Sequence, residues 1–221
     1  TIKGVPTAQV RLSLIDALLE GPTKTISELV ETVWLDVQGR AQDANGSQAL
    51  AAIFAEVYGV SSEQADALIT KLAAGERFNL QVEAASADIL GNLSAGYAAS
   101  YQAPAATEPA PTLFVNEDWY NNTGEEDARR AVLEEFGAHF DVQLNGSTDT
   151  PGDEGELFSL RYLAETVTDV ELTRINAEFD ETTIFIDDVP VDVEAQQIPV
   201  ATPGVDYADG STPGDLQVLI G

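Results

Sequence analysis

Uncompensated negative charge is the strongest constraint on how this chain can fold. It carries 38 aspartates and glutamates against 10 lysines and arginines, a formal net charge of -28 over 221 residues. At low ionic strength such a chain repels itself and resists compaction. Molar salt, with a Debye length of about 3 Å, or bound divalent cations relieve that repulsion. Two settings fit: a salt-rich cytoplasm, or an exterior rich in salt and calcium. The same charge disfavours nucleic acid and anionic membrane surfaces as partners. The hydrophobic share of 44% is that of a globular protein, so disorder is not the expectation.

Cysteine and methionine are both absent. That excludes disulfides, thiolate metal sites and a cysteine nucleophile. It also removes the most readily oxidised side chains, which suits a long-lived exposed protein. No apolar run approaches the roughly 18–20 residues that span a bilayer, so no membrane insertion is expected. TIKGVPTAQ at the start lacks a basic region followed by an apolar core, so no signal peptide is expected there.

The first hundred residues show helical periodicity. TAQVRLSLIDALLEG (7–21) ends at a Gly21-Pro22 stop. In TISELVETVWLDVQGR (25–40), Ile26, Leu29, Val30, Val33, Trp34 and Val37 form one stripe, and Thr25 with Glu28 forms a capping box. SQALAAIFAEVYG (47–59) and SSEQADALITKLAAGE (61–76) repeat the pattern, the latter with a Ser61–Gln64 box. A run at 79–101, rich in alanine and glycine, reads as a fifth helix packed closely through its small residues. Short connections make this a bundle over 1–101.

QAPAATEPAP (102–111) reads as an extended Pro/Ala linker. Beyond it, 112–221 alternates element types and reads as a smaller α+β domain with a mainly antiparallel sheet. Strands are expected at 112–118, 141–145, 169–179, 182–189, 191–200 and 216–221, and a helix at 124–140. ELFSLRYLAETV (156–167) suits either. The fold class is therefore α+β, an all-α bundle followed by an α+β domain.

The candidate sites are mostly acidic. In NGSTDTPGDEGE (145–156), oxygen-bearing side chains fall at the offsets of a calcium loop, with Asp149, Asp153 and Glu156 at positions 5, 9 and 12. Position 6 is Thr150 rather than glycine and position 8 is Gly152 rather than an apolar residue, so this is not an EF-hand. A looser calcium loop remains, and Asp206, Asp209 and Asp215 offer a second. Calcium is accordingly the one expected cofactor. FIDDVPVDVE (185–194) pairs carboxylates that suit acid–base chemistry if buried, yet more simply guard an edge strand against aggregation.

His139, the only histidine, reads as a helix-end residue facing the last carbonyls. No nucleophile elbow or phosphate-binding glycine loop is present. Trp119 and Tyr120 suit packing more than carbohydrate stacking. Asn-x-Ser/Thr occurs at Asn45, Asn92, Asn121 and Asn145. Four exceed the chance expectation of about one, and Asn45, Asn121 and Asn145 are candidate glycan acceptors.

These features converge on a non-enzymatic structural subunit of an extracellular or surface assembly, a filament, surface layer or virion, whose partners are copies of itself. The apolar LQVLIG (216–221) suits strand addition between subunits. The alternatives are a soluble halophile protein with a binding or hydrolytic role using Asp187, Asp188, Asp192 and Glu194, and an adhesin or carbohydrate-binding module using Trp119.

Overall fold

The computed structural model describes residues 24–195 except 105, 147–149 and 179. The expected helix at 7–21, the strand at 216–221, and Asp149, Asp206, Asp209 and Asp215 lie outside the described residues.

Three helices open the described chain, each set by local signals. Helix α1 (Ile26–Gln42) begins at the expected Thr25–Glu28 capping box. Helix α2 (Ala44–Tyr58) is capped by the Asp43 carboxylate and stops at Gly59, whose φ of 64° is the left-handed conformation that ends helices. Helix α3 (Ser62–Ala73) starts at the reciprocal Ser61–Gln64 box. The predicted stripe of α1, including Trp34, is buried.

The chain then turns to β-structure. Strand β1 (Gln81–Ala85), the short helix α4 (Ala87–Leu90) and strand β2 (Ala95–Tyr101) replace the single helix expected at 79–101. The apolar spacing there satisfies a helical period, but Gly91 takes a φ of 60° and breaks it. The small residues do permit close packing, though of a sheet: Ala95 joins the core beneath the helices and Ala98 the cluster on the opposite face.

Strand β3 (Ala110–Asn116), helices α5 (Glu117–Tyr120), α6 (Glu125–Asn145), α7 (Glu154–Tyr162) and α8 (Asp169–Ile175), and strands β4 (Glu181–Ile186) and β5 (Val189–Glu194) complete the order. The sheet runs β1-β3-β2-β5-β4, with β1 and β3 parallel and the other neighbours antiparallel. The protein is mixed α+β, and its sheet takes two of its five strands from 81–101, before the stretch where the sheet is expected. Residues 102–109 connect β2 to β3, its hydrogen-bonded neighbour in the sheet.

Two further expectations are corrected. Residues 141–145 continue α6 instead of forming a strand, because each added residue gains a backbone hydrogen bond once a helix is running. Residues 169–175 are helical, not extended, and Thr168 with Glu171 makes a third capping box there. That signal is present in TDVE and outweighs the β-branched residues around it.

The main core lies between α1–α3 and α6–α7. Trp34 meets Phe136 edge-on at 5.3 Å, and Phe158 sits 5.4 Å from Phe140 and 6.0 Å from Phe54. A second cluster, including Leu93, Phe114, Ile184 and Val193, covers the other face of the sheet. Among the described residues, no helix is long and apolar enough to cross a membrane.

Candidate cation site

Helix α6 is buried nearly all round from Ala131 to Asp141, so its apolar stripe cannot keep every polar residue outside. Glu134 and Glu135 are carried into the interior with it. Helix α7 crosses α6 at this level, and Gly155 permits the approach: a β-carbon there would stand 2.7 Å from the Glu134 carbonyl oxygen. The crossing brings Asp153, two residues before that glycine, to the wall that the two α6 glutamates form. The Asp153 N–H donates to the Ile175 carbonyl at 2.9 Å, and its Oδ1 accepts from the Glu156 N–H at 2.7 Å as the α7 cap. Glu194 at the end of β5 and Asp180 before β4 close the cluster around a cavity of about 10 Å³.

Burial dominates the electrostatics. It pushes the Asp153 carboxyl up to about 7, partly opposed by its bond from the Glu156 N–H and reinforced by Asp180. The Glu154 carboxyl rises to about 10, from burial first and the neighbouring Glu194 second. Glu134 is driven well above the usual range, again by burial and then by Asp153 and Glu135. Glu154 is 3% exposed, and both of its carboxyl oxygens are buried without a hydrogen-bond partner.

A neighbouring trio is arranged differently. Asp153, Glu156 and Glu178 bring one oxygen each within 4.8 Å of one another. Arg174 already binds Glu156 through one guanidinium nitrogen and Glu178 through the other. The trio therefore supplies its own cation. Every other arginine of the described residues also faces a carboxylate: Arg40 and Arg129 at Asp36, Arg77 at Glu31, Arg130 at Glu165 and Arg161 at Glu56.

Of the residues singled out in the sequence, Asp153 and Glu156 lie at the α7 start, joined as N-cap and third helical residue. Asn145 turns inward, its amide donating to Asp141 at 2.8 Å and to Thr150 at 3.0 Å. Asn45 and Asn121 are exposed, the first in α2 and the second capping α5. Asp187 and Asp188 form the turn of the β4–β5 hairpin with φ values of 51° and 65°. Asp192 accepts from the Thr183 hydroxyl across that hairpin at 2.8 Å. Asp192 and Glu194 line an open groove of about 430 Å³ with Tyr97, Glu181 and Thr183. Trp119 is half-buried against the main core.

His139 is not at a helix end. Helix α6 continues past it, the ring is fully buried, and its Nδ1 lies 3.0 Å from the Tyr97 hydroxyl. Burial lowers its pKa to about 4, so the ring is neutral. Helix periodicity does not reveal Glu134, Glu154, Asp180 and Glu194 as a group, because they meet only when α6, α7 and the hairpin pack. The one local hint is GDEGE, where an N-cap aspartate and a small residue bracket Glu154. No family model matches this chain, nor does any curated protein or solved structure.

Proposed function

We propose that this protein is a non-enzymatic structural subunit of an extracellular or surface assembly, in which calcium or high salt supplies the counterions that let acidic copies pack. The observation that supports this reading is the distribution of charge in the folded chain. Each arginine of the described residues is committed to a carboxylate, yet Asp153 and Glu154 remain buried in the interior. Compensation has to come from solvent or from protons. The test is negative-stain microscopy and sedimentation of chelator-treated protein as calcium, then sodium chloride, is restored. Ordered polymers are expected. A chain that stays monomeric across both titrations overturns the reading.

The groove of about 430 Å³ beside Asp192 and Glu194 favours a second reading, a halophile protein with carboxylate-based hydrolysis. It predicts turnover of glycosides or esters that Asp192→Asn or Glu194→Gln abolishes, and no turnover across a broad panel removes it. The carbohydrate-binding alternative draws less support, because the Trp119 ring packs against the core instead of standing free.

A further inference from the structure

We infer that the outer edge of β4 is the surface on which a second copy of this chain docks, its own β4 adding antiparallel so that the two sheets become one. This rests on the assembly of copies proposed above and names one contact of it.

The register of the hairpin fixes which backbone groups are available. Asp187 and Asp188, with φ values of 51° and 65°, make its two-residue turn, so Ile186 and Val189 are the closing hydrogen-bonded pair. Hydrogen-bonded pairs alternate along an antiparallel ladder, so Thr182, Ile184 and Ile186 are the residues that bond β5. The Ala195 N–H, donating to the Asp180 carbonyl at 3.1 Å, keeps the same phase, and Pro190 falls at a position that needs no N–H. The N–H and C=O groups of Glu181, Thr183 and Phe185 therefore point away from β5. Among the described residues, β4 has no other neighbour in the sheet.

Open edges are usually blunted by charge, proline or a bulge, and residues 182–186 hold none of these. Two large apolar side chains of this hairpin stand in solvent, Phe185 at 62% and Val189 at 58% exposure. Charge selects the partner. In a chain of net charge -28, residues 182–186 carry no acid, so another copy can approach there without setting carboxylate on carboxylate. The strand also complements itself. An antiparallel pair centred on Ile184 sets that residue on the partner's Ile184, continuing the second core cluster across the axis. It sets Phe185 on the partner's Thr183, an aromatic and β-branched pair. Both of those residues carry outward backbone groups, so they form the hydrogen-bonded pairs of the new ladder. Centring on Thr183 instead would set Phe185 on the partner's Glu181. At each end of the Ile184-centred ladder, Glu181 comes beside the partner's Asp187, and counterions relieve that contact.

The test is sedimentation equilibrium of the full chain at about 0.1 M and about 1 M sodium chloride, where the Debye length falls from about 10 to about 3 Å. A dimer favoured by the higher salt is expected. Thr183→Pro removes an outward N–H that β5 does not use, and Phe185→Glu puts a charge in place of the exposed ring. Each should weaken the dimer at least about tenfold. Val170→Glu, which adds the same charge at an exposed position of α8, should not. Glu181→Gln combined with Asp187→Asn should tighten dimerisation at low salt at least about threefold, because like charges no longer face each other. Asparagine also accepts the left-handed turn. If Thr183→Pro does not fold, Phe185→Glu and the double variant carry the test. A chain that is monomeric at both salt concentrations overturns the inference, as does a dimer that tolerates Phe185→Glu. Loss of the dimer in Val218→Pro, within LQVLIG, gives the edge to that segment and also overturns it. A discrete dimer with the expected responses and no polymers keeps the β4 pairing and removes the assembly reading. Polymers that persist in both Thr183→Pro and Phe185→Glu do the reverse.

Discussion

Gly137 of α6 and Gly155 of α7 face each other so closely that a β-carbon on Gly137 would stand 2.7 Å from the Gly155 α-carbon. The same β-carbon would meet the Phe158 Cβ at 3.0 Å, so the neighbours are backbone and a core ring that cannot swing aside. Gly137→Ala should therefore push the helices apart and destabilise the fold by about 1–3 kcal/mol, the usual cost of overpacking. Chemical denaturation measures it. A stability equal to wild type would mean that the crossing has room to spare.

The acidic pocket makes an unusual pH profile in metal-free protein. Asp153 moves from 3.8 to about 7 and Glu154 from 4.5 to about 10 on folding, both chiefly by burial. Above the unfolded values and below the folded ones, the folded chain holds more protons, so its stability falls as pH rises. His139 acts oppositely: its pKa drops from 6.5 to about 4, so stability rises with pH between those values. Above about 6.5 only the carboxyl contribution remains. The Tm in chelator should fall between about pH 6.5 and 8.5, and Glu154→Gln should flatten that fall. A Tm that climbs over this range contradicts the assignment.

Tyr97 and His139 tie β2 to α6 through one buried hydrogen bond of 3.0 Å. Tyr97→Phe keeps the ring against the histidine but leaves Nδ1 without that partner. The expected cost is about 1–3 kcal/mol, the penalty for an unmet buried polar group. Urea unfolding of the variant measures it, and a loss below about 0.5 kcal/mol would show that the bond exchanges freely with water.

Phe140 touches Trp34, Phe54, Phe136 and Phe158 within ring-contact distance and is fully buried. Phe140→Ala should cost about 3–5 kcal/mol, the transfer term plus the cavity left behind. Phe140→Leu should recover more than half of that. The pair of denaturation midpoints separates packing from any special role for the ring.

Salt should act on the whole surface. Raising sodium chloride to about 1 M shortens the Debye length to about 3 Å and should lift the Tm of the metal-free chain steadily. Arg174→Gln should change that response little, because exposed pairs contribute about 0–1 kcal/mol. A Tm that falls with salt would mean that the arginine pairs outweigh the general repulsion.

Elements whose causes lie within one or two turns of chain are legible in the amino-acid sequence. The capping boxes at Thr25–Glu28 and Ser61–Gln64 put α1 and α3 where they stand, because the box satisfies orphan backbone groups with side chains three residues apart. The place of Trp34 on an apolar stripe assigns it to the core, where it lies. The turn at Asp187 and Asp188 is not legible: both lie inside the run 182–189 that reads as one strand, and their left-handed backbone ends β4 at Ile186. The box at Thr168–Glu171 is equally local, but the valine, leucine and isoleucine beside it carry a competing strand signal.

By itself, then, the sequence determined the acidity, the first three described helices and the mixed α+β class. Each depends on composition or on contacts between near neighbours. Tertiary structure alone decided that 81–85 and 95–101 are strands, because their hydrogen bonds run to β3. It alone buried His139 against Tyr97 and took Glu154 out of solvent. A side chain's environment is set by what packs on it from far along the chain, and no local spacing encodes that.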